Sequence, residues 1–560
     1  MLSDQVVMMN VILTCVLTPF KISNGGKLPL IGQIPRTPDK ELDPSYWRNA
    51  ALKTLEAKMR LKPNMNTAKN VILFLGDGMS FPTIAAARIF KGQLDGRPGE
   101  ETRLIFEDFP GVGLSKTYCT DTSVSDSACS ATAYLSGVKG AYFTLGVNGH
   151  VREDDCAGSL NESNRVHSIV KWAQDAGKST GVVTTTRITH ASPAGAYAYS
   201  ASREWEVDTK MPQDSECKDI AHQLIYNSPG KDIKVVMGGG LDSFIPEKRS
   251  DGENLIEKWK EGKIGQRAAF IQNRQELLNL DTLDIDYVLG LFTGDHLSFH
   301  VDADHEMEPS LAEMTEKSIE ILRKDPKGFF LFVEGGKIDI AHHYNLAHKA
   351  MIETMEFEKA IEKAMSMTNE EDTMIVVTAD HSHSFALNGY PKRGNSIFGF
   401  SDELSDVDFK PILTLSYMNG PTEQRYDEDN TRYNLNKDDT LDPQYHFQAM
   451  VTLGYETHGG DDIGVYARGP WSHLLIGQFD QNYIPVVMGH AANILPFTRT
   501  DGSSSSGIKG KVSSQKLANS GKGILTSQGQ SMNSNEKSLA VRNTDYILLL
   551  ILPVIFFKII

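Results

Sequence analysis

The sequence predicts an α/β fold: a doubly wound, mostly parallel central sheet flanked by helices. Apolar, β-branched runs recur along the chain, and each is followed within a few residues by Gly, Asp, His or Glu. Amphipathic stretches such as residues 314–323 lie between these runs. Parallel strands that are buried on both faces and joined by crossover helices give this alternation. The strand runs cover residues 71–75, 180–186, 235–237, 329–333 and 374–378.

The alternation lapses between residues 391 and 455. This stretch is polar and rich in Asn and Asp. A change of character inside an otherwise regular pattern predicts an inserted or capping region beside the main sheet.

The overall composition is that of an ordinary globular protein. Of the 560 residues, 40% are apolar and 23% are charged, which excludes collagen, wholesale disorder and a polytopic membrane protein. The net charge of -16 repels the phosphate backbone of nucleic acids. We therefore expect no nucleic-acid partner.

The amino-terminal residues 1–20 are predicted to be a signal peptide. Residues 6–20 form an apolar run of suitable length, although Asp4 and no basic residue precedes it. One cysteine lies in this run, and the other four are compatible with one or two disulfides in an oxidising compartment. An Asn-x-Ser sequence at Asn161 predicts glycosylation of an exposed loop.

The carboxyl end predicts a lipid anchor. Residues 501–545 are rich in Ser and Gly and contain no aromatic residue, as in a flexible stalk and spacer. Residues 546–560 are almost uniformly apolar but shorter than the ~20 residues that a spanning helix needs. This order predicts a glycosylphosphatidylinositol (GPI) anchor attached at Asn533. The alternative is a short tail anchor that is left in place.

Several acidic and histidine residues stand where a metal site would form. Asp339 and His343 are four residues apart in KIDIAHH, so a helix would place them on one face. In doubly wound sheets, ligands bind beyond the carboxyl ends of the strands. Oxygen and imidazole ligands without thiolates favour zinc, and a harder carboxylate and hydroxyl site suits magnesium. The other candidates at strand ends are Asp77, His190, Glu334, Asp380, His381 and His383.

A candidate nucleophile lies in the segment Asp126-Ser127-Ala128, which precedes a helix-like run of small residues. A serine at a helix amino terminus would meet unpaired backbone N–H groups, which suit an anionic ester. The alternative is that these residues only cap the helix.

Six motifs resemble those of animal alkaline phosphatases, in particular the membrane-bound enzymes of insects. They stand in the family's order and at its separations between residues 44 and 496: LFLGDGMS, DSACSATAY, TTTRITHASP, FVEGGKID, VVTADHSH and ETHGG. The resemblance implies a catalytic domain over residues 43–495 with a crown-type insertion at 391–455. It also implies a homodimer that hydrolyses phosphate monoesters at the outer cell surface, with a dimerisation arm at residues 46–59.

The resemblance assigns catalytic roles to individual residues. Ser127 matches the nucleophile that becomes phosphorylated, and Arg203 matches the arginine that holds two phosphate oxygens. Asp126 would orient this arginine. His190 would lie beside the magnesium ligands, and His383 beside the zinc ligands.

The resemblance also implies two zinc ions and one magnesium ion per subunit. The implied ligands are Asp339, His343 and His458 for the first zinc, Asp77, Asp380 and His381 for the second, and Asp77, Ser192 and Glu334 for magnesium. A calcium ion is doubtful, because the segment after residue 240 is contracted, residues 292–293 lack the acidic neighbour and Glu308 alone does not restore the site.

Two features concern cysteines. Cys156 and Cys217 match a disulfide of the family. Cys119 and Cys129 are additional and bracket Ser127; either they pair with each other or they remain buried thiols.

One residue of the implied site departs from the family. The family usually places histidine directly after the aspartate of the first zinc, but this chain has Ile340. A helix shift that lets His342 fill the space is the alternative. Two other functions stay open at this stage: a phosphodiesterase or sulfatase on a related fold, and an inactive surface receptor.

Overall fold

The computed structural model describes residues 38–497. The predicted signal peptide, stalk, hydrophobic tail and attachment residue Asn533 lie outside the described residues. Within residues 38–497, no helix is both long and apolar enough to cross a lipid bilayer.

Strands and helices alternate along most of the described chain. The strands are β1 (Asn70–Gly76), β2 (Gly111–Lys116), β3 (Ser179–Arg187), β4 (Val235–Gly239), β5 (Ala268–Ile271), β6 (Tyr287–Leu291), β7 (Phe329–Gly335), β8 (Thr373–Thr378), β9 (Ser382–His383), β10 (Phe385–Leu387), β11 (Phe400–Leu404), β12 (Pro411–Leu413), β13 (Leu415–Gly420), β14 (Ala449–Thr452), β15 (His458–Gly459), β16 (Ile463–Arg468) and β17 (Gly477–Asp480). The helices are α1 (Pro44–Arg60), α2 (Phe81–Leu94), α3 (Ser127–Ser136), α4 (Cys156–Leu160), α5 (Ile169–Asp175), α6 (Ala191–Ala194), α7 (Ile220–Tyr226), α8 (Leu255–Gly262), α9 (Arg274–Leu278), α10 (Leu311–Leu322), α11 (Lys337–His343), α12 (Ala347–Met367) and α13 (Tyr483–Ala491).

A ten-stranded, mostly parallel sheet forms the centre of the molecule, which confirms the predicted fold class. Its order is β17-β2-β16-β8-β1-β7-β3-β4-β6-β5. Every residue of β7 and β8 is buried, which explains their continuous apolar sequences. Side chains from one face, such as Phe74, and from the other, such as Phe332, belong to two separate hydrophobic clusters.

The carboxyl ends of the central strands meet at one edge of the sheet. Leu75 of β1 is in register with Glu334 of β7 and Thr378 of β8, and Glu334 is in register with Thr184 of β3. Residues that follow these positions therefore emerge side by side. Asp77 and Asp380 are two of them.

Strand β16 brings a further histidine to the same edge. It pairs antiparallel with β8 and β2, so its amino end lies beside their carboxyl ends. The chain enters β16 after His458, whose backbone pairs with that of His383 in the small β9–β15 ladder. The direction of β16 thus delivers His458 to the edge where the parallel strands end.

The region around residues 391–455, where the alternation of apolar runs lapses, forms small sheets of its own. Strands β10, β13 and β14 make one sheet, and β11 and β12 make another. These strands are short and have exposed faces, so they lack the continuous apolar runs of the central sheet. The exact domain boundaries of 43–495 and 391–455 stay predictions.

Helix α1 has no buried residue. Trp47, Leu52 and Leu55 are each 54% exposed, and Met59 is 77% exposed. The helix thus presents apolar side chains to solvent in the isolated chain.

Residues 38–497 contain two disulfides. Cys156 is linked to Cys217, as the resemblance implies. Cys119 is linked to Cys129, which decides between the two alternatives for that pair.

Candidate metal and phosphate site

Ser127 is the first residue of helix α3, and Asp126 caps that helix. The Asp126 carboxylate accepts hydrogen bonds from the backbone N–H groups of Ala128, at 3.0 Å, and Cys129, at 3.3 Å. Capping therefore occupies Asp126 and leaves the Ser127 hydroxyl available. Ser127 Oγ lies 3.3 Å from Nε2 of His381, among the buried acidic and histidine residues.

One group of possible metal ligands contains Asp77, Asp380 and His381. Nε2 of His381 lies 3.4 Å from Oδ1 of Asp77 and 3.2 Å from Oδ2 of Asp380. All three side chains are completely buried. This group lies next to Ser127.

A second group surrounds Asp339. Nε2 of His343 lies 3.3 Å from Oδ2 of Asp339 and 3.2 Å from Nε2 of His458. His458 Nε2 lies 3.5 Å from Oδ1 of Asp339. His383 donates to the same carboxylate, with Nε2 at 2.7 Å from Oδ1. The three sequence-predicted ligands of the first zinc are therefore together, with His383 beside them.

A third group contains Asp77, His190 and Glu334. Ser192 joins it, because its Oγ lies 3.4 Å from Oδ2 of Asp77. Within the described chain, three buried atoms of this group have no hydrogen-bond partner: Asp77 Oδ1, Glu334 Oε1 and His190 Nδ1. Buried polar atoms without a partner lower the stability of the folded protein unless a cation lies between them.

The electrostatics of the site also favour cations. Burial raises the pKa of Asp77 well above its ordinary value, and the nearby carboxylates of Asp380, Asp339 and Glu334 raise it further. Burial likewise raises the pKa of Glu334 to about 7. Buried carboxylates this close together destabilise one another unless positive charge is supplied.

The available donors fit divalent metals. Carboxylates and imidazoles without thiolates suit zinc in the first two groups, and carboxylates with a serine hydroxyl suit magnesium in the third. The residues present, together with the orphaned atoms, thus form a candidate centre for more than one metal ion.

Arg203 lies at the border of this centre. Its Nη1 is 3.2 Å from Oδ2 of Asp126, and its Nη2 is 2.9 Å from Nε2 of His190. The guanidinium also lies over the ring of Phe143, 5.7 Å from its centroid. Only 15% of the Arg203 side chain is exposed. These contacts fix a planar cation beside the segment that carries Ser127, a suitable arrangement for binding two oxygens of a phosphate group.

Four further residues support the centre and were not predicted. Glu456 contacts His383, the backbone carbonyl of Ser125 accepts from Nδ1 of His458 at 2.8 Å, and Thr184 and Thr186 donate to Glu334. Glu456 could have been noticed as an acidic residue within the ETHGG motif. A backbone carbonyl leaves no such signal in the sequence, and threonines in a buried strand are ordinary.

His342 does not replace the histidine that is missing at position 340. Its two ring nitrogens lie 2.9 Å from Thr83 Oγ1 and 2.9 Å from the Tyr417 hydroxyl, and the residue is completely buried. Helix α11 is continuous from Lys337 to His343, and both ring nitrogens of His342 already have partners.

The segments that raised the question of calcium meet beside Arg187. The backbone N–H of Gly240 donates to the carbonyl of Asp295 at 2.8 Å. Arg187 Nη1 contacts the Asp295 carboxylate at 2.6 Å, and both carboxylate oxygens of Glu308 accept from Ser298. Protein donors thus already engage these two carboxylates, and calcium stays doubtful.

Comparison of the sequence with those of known proteins supports a metal-dependent phosphatase site. A family model described as alkaline phosphatase matches residues 68–494. The chain belongs to the alkaline phosphatase family. It is 48% identical over 477 residues to the human tissue-nonspecific isozyme of alkaline phosphatase, covering 82% of this chain and 90% of the human protein. It is 44% identical to a membrane-bound alkaline phosphatase of Bombyx mori, covering 81% of this chain and 86% of the silkworm protein.

Solved structures show the same fold. The alkaline phosphatase of Thermus thermophilus matches with a TM-score of 0.57 at 21% identity, covering 79% of this chain and 95% of the other. Together with the family match, the identities to curated relatives make this alkaline phosphatase a metal-dependent phosphomonoesterase. A sulfatase or phosphodiesterase is correspondingly disfavoured.

Proposed function

We propose that this alkaline phosphatase hydrolyses phosphate monoesters through a phosphoserine at Ser127, in a site with two zinc ions and one magnesium ion. One observation carries the proposal. The hydroxyl of Ser127, at the start of α3, lies 3.3 Å from His381 in a buried centre that also contains the Arg203 guanidinium. A nucleophile, a phosphate-binding cation and metal ligands are thus within reach of one substrate phosphate.

The proposed ions would be held by residues that the structure brings together. Asp339, His343 and His458 would bind the first zinc, Asp77, Asp380 and His381 the second, and Asp77, Ser192 and Glu334 magnesium. When bound, such ions polarise phosphoryl oxygens and lower the pKa of nearby hydroxyl groups and water.

Residues of the protein supply the nucleophile and hold the substrate phosphate in place. Ser127 Oγ gives up its proton and forms a bond to phosphorus; the bond from phosphorus to the ester oxygen breaks, and that oxygen takes up a proton and leaves as the alcohol. Arg203 holds two phosphoryl oxygens, while Asp126 fixes the guanidinium in place. Water then attacks phosphorus, which releases phosphate and restores the serine. Since no residue is needed to contact the alcohol, a broad range of monoesters is expected.

The test replaces Ser127 and uses another serine of the same helix as a control. Ser127→Ala should lower turnover by several orders of magnitude, as the loss of a covalent nucleophile does. Ser136→Ala, at the far end of α3, should keep its activity. A phosphorylated peptide containing Ser127 should be trapped by acid quenching of the parent enzyme. Parent-like turnover by Ser127→Ala, at full metal content, would reject the proposal.

Substrate class can be tested in parallel. The enzyme should hydrolyse an aryl phosphate monoester far faster than the corresponding diester or sulfate ester. A preference for the diester or the sulfate would show that the assignment to monoesters is wrong.

We also propose that the enzyme is a glycosylated homodimer on the outer face of the plasma membrane, held there by a GPI anchor. The membrane-bound relative in Bombyx mori, the predicted tail and the exposed apolar side chains of α1 support this. Asn161 is exposed, as a glycosylation site requires. A phosphatidylinositol-specific phospholipase should release the enzyme from membranes; mature protein that retains residues 546–560 would contradict the anchor.

A further inference from the structure

We propose that the disulfide between Cys119 and Cys129 is a positioning element of the active site, and this inference rests on the function proposed above. The two cysteines are ten residues apart and enclose Asp126 and Ser127. We call residues 119–129 the nucleophile loop. Cys119 follows strand β2, and Cys129 lies in the first turn of α3.

The nucleophile loop carries three consecutive residues that organise the site. The backbone carbonyl of Ser125 accepts from Nδ1 of His458 at 2.8 Å, which directs the opposite ring nitrogen toward Asp339. The carboxylate of Asp126 contacts Arg203 at 3.2 Å. Ser127 is the proposed nucleophile. A displacement of this short segment would therefore disturb a possible metal ligand, the phosphate-binding arginine and the nucleophile together.

The noncovalent contacts of the first half of the loop are polar contacts at the protein surface. Thr120, Asp121, Ser123 and Val124 are exposed, so no hydrophobic packing fixes them. The Thr120 N–H donates to the Gly140 carbonyl at 3.0 Å, and the Asp121 carboxylate accepts from the Tyr142 N–H and from Arg152, each at 2.9 Å. By contrast, Cys119 and Cys129 are 3% and 2% exposed. The covalent link thus joins two buried points on either side of an exposed segment.

A link of this kind reduces the conformational freedom of the segment that it closes. The second disulfide serves as a comparison. Cys156 and Cys217 are 61 residues apart and belong to a hydrophobic cluster with Val147, Val151 and Trp205. That link encloses Arg203 and His190 but not Ser127, so the covalent constraint on the nucleophile itself comes from the Cys119–Cys129 pair.

The test compares a variant without the link with one that is merely less stable. Cys119→Ser/Cys129→Ser should bind inorganic phosphate about 10-fold more weakly and lower kcat, because small displacements of reacting groups are costly. It should also lose zinc faster to a chelator, since Ser125 no longer holds His458 firmly. Leu277→Ala is the control. Leu277 is a buried residue of α9, so its truncation creates a cavity in the core and should lower Tm without changing phosphate binding.

The outcomes separate the positioning role from a purely structural one. If the double variant loses thermal stability but keeps the phosphate affinity, kcat and zinc retention of the parent, the proposal is overturned. Free thiols at Cys119 and Cys129 in the active enzyme, detected by alkylation and mass spectrometry, would overturn it as well. If the serine variant does not fold, Cys119→Val/Cys129→Ala keeps the buried volume apolar and carries the same test.

Failure of this inference can be distinguished from failure of the proposed function. If Ser127→Ala is inactive while the variants without the disulfide match the parent, only the positioning role is rejected. If Ser127→Ala is active, the function on which the inference depends is rejected.

Discussion

The imidazole Nδ1 of His383 lies 2.5 Å from Oε2 of Glu456. The opposite ring nitrogen of His383 lies 2.7 Å from Asp339, so a buried imidazole connects two carboxylates. Burial opposes a charge on this ring, but Glu456 and Asp339 together raise the pKa of His383 to about 10. The backbone carbonyl of Glu456 also accepts from Nδ1 of His343 at 2.6 Å. Glu456 thereby orients two histidines beside Asp339.

This relationship predicts the effect of Glu456→Gln. The amide cannot accept from His383 and Ser384 as the carboxylate does, so His383 and Asp339 should be held less firmly. Replacing a group that supports metal ligands typically costs about 10- to 100-fold in metal affinity. We expect the rate of zinc release to a chromogenic chelator to rise correspondingly. Glu362→Gln, on the exposed face of α12, is the control, and equal release rates from the two variants would contradict the prediction.

Arg203→Lys tests the bidentate role of the guanidinium. Lysine keeps the charge but lacks the planar pair of donors. Losing one hydrogen bond to a charged phosphate costs about 1.5 kcal/mol, so inhibition by inorganic phosphate should weaken by about 10-fold. Arg274→Lys keeps a charge opposite Glu313 near the far edge of the sheet and should leave inhibition unchanged. An Arg203→Lys enzyme with the inhibition constant of the parent would argue against bidentate binding.

Ile340→His tests the departure from the family. Since His342 is engaged by Thr83 and Tyr417, no other histidine of α11 compensates for the one that is missing at position 340. A histidine there can hold water near bound phosphate, so we expect a higher kcat/KM for a simple aryl phosphate and a shifted pH optimum. Ile340→Leu is the matched control. If Ile340→His and Ile340→Leu behave alike at full metal content, Ile340 is a neutral replacement.

Glu353→Gln tests a buried carboxyl outside the catalytic site. Burial raises the pKa of Glu353 from 4.5 to about 7. The folded state therefore binds this proton more tightly than the unfolded state, and the associated stability is lost as pH rises through the folded pKa. Glutamine does not titrate, so the variant should not lose stability in this way as pH rises. Its side-chain oxygen can still accept from the backbone N–H of His300. The Tm difference between Glu353→Gln and the parent should increase from about pH 5 to about pH 7 and then level off; a constant difference over that range would contradict the shift.

The central strands and the residues at their carboxyl ends could be predicted, because residue type and spacing alone determine these features. Apolar runs marked the buried strands because their side chains pack on both faces, as in β7. Asp77 and Asp380 could be placed at one edge because parallel strands end together. The support that Ser125 gives to His458 could not be predicted, since it depends on a backbone carbonyl and on the antiparallel direction of β16. The pairing of Cys119 with Cys129 depends on how the intervening loop turns, which spacing alone does not specify.

The β9–β15 ladder holds the two ends of the intervening small sheets together. The chain departs from the catalytic edge after His383 and returns to it at His458, and these two residues pair across the ladder. Everything between them is outside the central sheet. Insertions or deletions in the exposed loops between these histidines are therefore expected to leave the order of the central strands unchanged. Tyr417 and Glu456 lie in the intervening segment and contact His342 and His383, so a graft that keeps both residues is expected to disturb the reaction centre least.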